Sequence, residues 1–305
     1  MKRVWFVAMV VAAVSVAGMA NPVVGFLYSG PIGDYGWTWA HDQARKALPY
    51  ETRFVENVTP DNIKTATESL IDLGCTMIFA TSWEMLDQIK ELASQHPDIA
   101  FFCARIEGEP ADNIWLYLGR MYQARYLSGI TAGCKSITGR IGYVAAFPVP
   151  EVIRGINAFT LGVRSVNPRA TVIVRWTNSW YDPPAEVEAA ESLIAEGVDV
   201  LAQHVQGPSV QQIAEQEGVY CIGYNVDMSK FAPKQNIDNC VWNWEPLYRW
   251  LIFEALLGHK GRKVWAGIQT GVVGTTADKQ FVPPLEWTDD QLMNMNWFVD
   301  GVSVK

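Results

Sequence analysis

Hydrophobic positions along the chain fall into two alternating kinds of segment. Short apolar runs occur at 23–29, 52–57, 76–81, 99–104 and 113–118. Between and after them, apolar residues recur every three to four positions, at 37–48, 61–73, from Trp83 to Ala93, and at 122–135. Continuous runs of this length read as strands buried on both faces, and the recurring stretches as amphipathic helices. Gly74 and Pro97 close two of those helices. The order then restarts. Strands at 140–146, 171–177, 198–204 and 219–224 alternate with helices at 150–166, 183–196 and 209–217. This spacing predicts an α/β architecture with parallel sheets, laid out as two units of similar size. A helix at 244–257, a Gly-rich irregular stretch at 258–284 with a short run at 264–268, and a helix at 288–296 capped by Thr288 complete the pattern.

In open α/β sheets, ligands bind in the loops beyond the carboxyl ends of strands. The loop after the first strand is broken by Gly30, Pro31, Gly33 and Gly36 and carries Asp34, Trp37 and Trp39. It has neither Gly-rich phosphate-binding pattern, and an acceptor beside flat aromatic faces suits a planar polar molecule better than a phosphate. Other strand-end loops carry Ser82 and Trp83, Arg105, the run Asn178-Ser179-Trp180-Tyr181-Asp182, and Asn225 with Asp227. His204 ends a strand on the same side.

The 305 residues carry 24 basic and 32 acidic side chains, a net charge of −8. This balance argues against a nucleic-acid partner, which needs a basic face. Lys2 and Arg3, an apolar stretch at 4–17 and Gly18-Met19-Ala20 read as an export leader over residues 1–20. The apolar stretch is short for a membrane span, which needs about 20 residues. Without the leader the net charge is about −10, from 22 basic and 32 acidic residues. Cys75, Cys103, Cys134, Cys221 and Cys240 match no zinc spacing. Neither they nor the scattered His41, His96 and His259 point to a metal or cofactor.

Over nearly the whole chain after the leader, the ordered segments 30–43 (GPIGDYGWTWAHDQ), 70–83, 122–133, 142–168, 176–190, 197–204 and 223–233 (GYNVDMSKFAP) carry a resemblance. The chain resembles the basic-membrane-protein family of ABC-transporter substrate-binding proteins, which includes purine nucleoside receptors. The resemblance implies a two-lobed periplasmic-binding-protein fold of type I. It places the leader at 1–20, one lobe at 21–138 plus about 244–275, and the other at 139–240 plus about 276–305. It implies capture of a small molecule for an ABC permease in the membrane, outside the cytoplasm, without catalysis. It maps two base-stacking rings onto Trp37 and Trp180, hydrogen-bonding acids onto Asp34 and Asp227, and a position that is often Asn onto Thr38. Nucleoside binders carry an Asp where this chain has Arg105, and a Lys in the segment matching 240–245, where it has Trp242, Asn243, Trp244 and Glu245. Losing a ribose acceptor and donor favours a free purine base, adenine-like or an oxopurine, over a nucleoside.

Plainer roles stand beside these. Asp34 and Asp227 are also possible turn or helix caps, and His204 a structural histidine. Trp83 is open to either reading, and one of Trp242 and Trp244 is expected to face the cleft while the other packs. Asp182, before two prolines, reads as a helix cap. A ligand-presenting sensor or a nucleoside hydrolase using Asp34 and Asp227 are the rival functions. The chain has no Gly-x-Ser-x-Gly elbow, HExxH or CxxC motif.

Overall fold

A computed structural model describes residues 21–277. The expected leader at 1–20 and the helix expected at 288–296 lie outside the described residues. The first unit contains β1 (Val23–Leu27), α1 (Trp37–Ala47), β2 (Glu51–Val55), α2 (Ile63–Asp72), β3 (Cys75–Ala80), α3 (Leu86–Gln95), β4 (Ala100–Cys103) and β5 (Ile114–Gly119). The second contains β6 (Arg140–Ala145), α5 (Pro150–Val166), β7 (Thr171–Trp176), α6 (Pro183–Ala195), β8 (Val200–His204), α7 (Ser209–Glu217), β9 (Tyr220–Asn225) and β10 (Asn236–Trp242). Helix α4 (Met121–Lys135) lies between them in the chain, and α8 (Trp244–Leu256), β11 (Lys263–Ala266) and β12 (Val273–Thr275) follow.

The strands form two six-stranded sheets of the same topology. The first runs β11-β5-β4-β3-β1-β2 and the second β12-β10-β9-β8-β6-β7. Every pairing is parallel except β10 with β12. Both faces of each sheet are covered, which is why the strands read as continuous apolar runs. Val24, Phe26, Phe79, Phe102 and Tyr117 fill one face of the first sheet; Leu27, Ile78, Phe101 and Leu116 fill the other. Val144 and Leu201 face one core of the second sheet, Tyr143, Val172 and Ala202 its other. This is the two-lobed α/β layout that the resemblance implied.

Three crossings join the lobes: between β5 and α4, between β10 and α8, and between β11 and β12. The sequence places the first near Thr138, but it falls at Arg120, because α4 packs along α5 and against β10. The contact is close. A methyl group on Gly129 would sit 2.1 Å from the Phe159 carbonyl oxygen, and one on Gly162 would sit 2.0 Å from that of Tyr126. At the crossings, the Trp242 ring covers Gly119, where an added Cβ would lie 2.4 Å from the indole and 2.5 Å from Val273. Strand β12 was not anticipated: three residues around Gly274 inside a Gly-rich stretch leave no apolar run to read.

All five cysteines are free, four of them buried and Cys134 exposed. Among the described residues no helix is long and apolar enough to cross a membrane. None of them form a His, Cys, Asp and Glu cluster suited to a metal.

Candidate functional site

A cavity of about 460 Å³ lies between the lobes and is walled by loops at the carboxyl ends of the strands of both sheets. The first lobe contributes the loops after β1, β2, β3 and β4. The second contributes those after β6, β7, β8 and β9. This is where an α/β sheet is expected to hold a ligand, and the size suits a small molecule.

Asp34 forms part of this wall and also caps α1. Its Oδ1 accepts from the backbone N–H of Gly36 (2.8 Å) and Trp39 (2.9 Å), and its Oδ2 accepts from that of Thr38 (2.9 Å). The capping reading of Asp34 holds, and the same side chain lines the cavity. Burial raises its pKa, and the three backbone donors pull the other way. Three of its roughly four lone-pair sites are taken, leaving room for one further donor. Trp37, in the first turn of α1, lines the cavity half-buried. Its Nε1 donates to the Thr81 carbonyl at 2.7 Å. The indole is braced edge-on against Trp242 at 5.6 Å and Trp244 at 5.4 Å, so its orientation is fixed by packing.

Two more expected residues close this side. Trp83 is 44% exposed, and the Arg105 guanidinium lies 5.6 Å from its ring centroid. Both line the cavity.

In the second lobe, Trp180 lines the same cavity from the loop after β7. It meets Phe147 edge-on at 5.4 Å and His204 at 6.5 Å. Asp182 caps α6, its Oδ1 accepting from the Ala185 N–H at 3.1 Å, as the sequence indicates. Pro183 at the first helical position fixes that start.

Five expected residues lie elsewhere. Thr38 is buried under the first loop behind Asp34. His204 is 1% exposed beneath Trp180 and Tyr224, and burial together with Arg125 holds it neutral. Asp227 is exposed; its Oδ1 accepts from the Ser229 N–H at 2.9 Å and from Asn239 Nδ2 at 3.2 Å, which is the turn-capping role. Neither Trp242 nor Trp244 lines the cavity. Their rings stack on each other at 4.5 Å and 14°, and Trp244 stacks on His41 at 4.5 Å, forming a column behind Trp37.

The wall also holds Glu84, Glu107, Glu151 and Tyr224, which no sequence signal singles out, and Tyr181 and Asn225, whose strand-end loops are recognised but which are given no role of their own. Glu151 lies in the first turn of α5 after β6, as Trp37 lies in the first turn of α1 after β1. Burial raises its pKa to about 7. An acid in a helix's first turn looks like an ordinary dipole partner, so only the repeated topology marked it.

The lobes touch around the cavity. Arg154 Nη2 meets Glu107 at 3.1 Å, and Lys230 Nζ lies 3.7 Å above the Tyr35 ring, which also meets Phe231 edge-on. A Cβ on Gly36 would lie 3.1 Å from the Gly207 nitrogen across the gap.

The family described as ABC transporter substrate-binding protein, PnrA-like, matches residues 21–293. The chain is 40% identical over 258 residues to a purine-binding protein of Brucella abortus, covering 82% of this chain and 73% of that protein. It is 38% identical over 283 residues to a putative ABC transporter glucose-binding protein of Haloferax volcanii, covering 88% and 71%. The fold is similar to that of an ABC transporter solute-binding protein from Conexibacter woesei, with a TM-score of 0.71 at 21% identity over 86% of this chain and 91% of that one.

Proposed function

The chain belongs to the PnrA-like family of ABC transporter substrate-binding proteins, and from that premise we propose that it is an exported receptor that captures a purine base between its lobes and delivers it to an ABC importer. One observation carries the ligand class: Trp37 and Trp180, from opposite lobes, wall a single cavity whose rim holds Asp34, Glu151 and Arg105. A purine is flat and apolar on its faces and polar at its edge. Stacking on an aromatic side chain contributes about 1–3 kcal/mol per base. Acids at the rim then discriminate, because a guest lacking the matching donor leaves a buried acceptor unpaired at about 1–3 kcal/mol. The name of the Brucella relative supports this class.

Arg105 and the lack of a Lys in 240–245 favour the free base over the nucleoside. Trp242 and Trp244, one of which is expected to face the cleft, both lie behind the wall. Capture without chemistry fits the family. Asp34, the proposed acid of a hydrolase, is committed to three backbone N–H groups, and Asp227 lies outside the wall.

A sugar is the second reading, favoured by the name of the Haloferax relative. Thermal-shift screening of the purified protein against purine bases, nucleosides and glucose separates them. Stabilisation by adenine or an oxopurine above that by any nucleoside is the expected result. A shift with glucose and none with bases overturns the proposal.

A further inference from the structure

Arg105 follows β4 and stands in the cavity wall at the carboxyl end of the first sheet. Among the described residues it is the one cationic side chain in that wall, beside the acids Asp34, Glu84, Glu107 and Glu151. No carboxylate among the described residues pairs with it. Its Nη1 donates to the Trp83 carbonyl at 3.4 Å, and its guanidinium lies 5.6 Å from the Trp83 ring centroid. These contacts brace the group and leave Nε and Nη2 without a partner among the described residues. Two of the wall's acids are held elsewhere, Glu107 by Arg154 at 3.1 Å across the lobes and Asp34 by three backbone N–H groups. A half-buried guanidinium with donors to spare, in the wall of a ligand cavity, has the guest as its natural acceptor.

A guanidinium only donates, through N–H groups set as a planar fork. Such a fork fits two acceptors side by side. A purine with an oxygen beside N7 offers that pair, its O6 and N7, whereas adenine sets an amino donor beside the same N7. We infer that Arg105 reads this edge of the bound base, so that the cavity takes an oxopurine bearing O6 in preference to an aminopurine. This rests on the purine reading above.

The rest of the wall agrees with this reading. Trp37 and Trp180 cover the faces of a flat guest and leave its edge to the polar loops, of which the one after β4 carries Arg105. An amino group turned to Arg105 sets donor against donor and leaves both unpaired. The guanidinium keeps its charge at every working pH, so the preference needs no titration. Because the side chain is half-buried rather than sealed, water relieves part of a mismatch, and the discrimination falls toward the low end of what a bidentate arginine contact to a base gives.

The test is calorimetric titration of hypoxanthine and adenine into the intact protein at neutral pH, where both bases are uncharged. The two differ in carrying an oxygen or an amino group beside N7. The hypoxanthine Kd is expected to lie about tenfold below that of adenine. Arg105→Met, which keeps the length of the side chain without its donors, is expected to bring the two Kd values together. A parent that binds adenine as tightly as hypoxanthine, or more tightly, overturns the inference alone, and so does an Arg105→Met protein that keeps the parental ratio. The parental ratio needs no variant, so the test stands even where Arg105→Met folds poorly. Binding of neither base overturns the inference together with the purine reading.

Discussion

Replacing Trp180 by Ala removes the second-lobe wall of the proposed sandwich. If a base stacks on this indole, losing the contact costs about 1–3 kcal/mol, a rise in Kd of about fivefold to 150-fold. The ring also packs at the margin of both second-lobe cores and meets Phe147 at 5.4 Å. Truncating a fully buried Trp costs about 3–5 kcal/mol, and a half-buried one roughly half of that, so the melting temperature falls as well. Affinity and stability must therefore be measured separately, by calorimetric titration of adenine well below the melting point and by thermal unfolding without ligand. Trp180→Phe, which keeps a ring face, restores most of the affinity. A Trp180→Ala protein that melts lower yet binds adenine as tightly as the parent refutes the sandwich and leaves Trp180 as core packing.

Asp34→Asn leaves one acceptor where Asp34 now takes three backbone N–H groups. It should lower stability by about 1–3 kcal/mol in denaturant unfolding. Gly119→Ala drives a methyl group into the Trp242 ring and Val273; overpacking of this kind costs about 1–3 kcal/mol, and an unchanged unfolding midpoint would show the crossing to be slack. Glu186 is buried at the start of α6, where burial raises its pKa to about 7. A carboxyl raised in the folded state loses stability as pH rises from its unfolded value of 4.5 through about 7. Glu186→Gln should therefore gain on the parent over that window in unfolding titrations. The comparison is made as a difference because His41 and His204, both held neutral, push the parent the opposite way.

The alternation of runs and periodic stretches was enough to read nearly every strand and helix, and α5 and α7 match the expected 150–166 and 209–217. Each is bounded by local chemistry, with Pro150 opening one and Gly218 in the left-handed region closing the other. Tertiary partnership was not legible. Nothing local tells α4 to leave the sheet it follows; the signal is the small residues Gly129 and Gly162, which act only once both helices are placed. In the site, Asp34, Trp37, Trp83, Arg105 and Trp180 reached the wall because strand-end loops point there. Thr38, in the first turn of α1, and His204, the last residue of β8, lie one layer behind, because the helix and the strand turn these side chains into the core. Glu151 went unnoticed because its charge has an ordinary helical explanation.

Trp242 belongs to the second sheet and Trp244 to a helix packed on α1, with Asn243 alone between them, yet their rings lie face to face. Any swing of one half against the other has to slide or tilt that pair. The emission of an indole depends on what lies against it, so the joint carries its own optical gauge, readable without an attached dye.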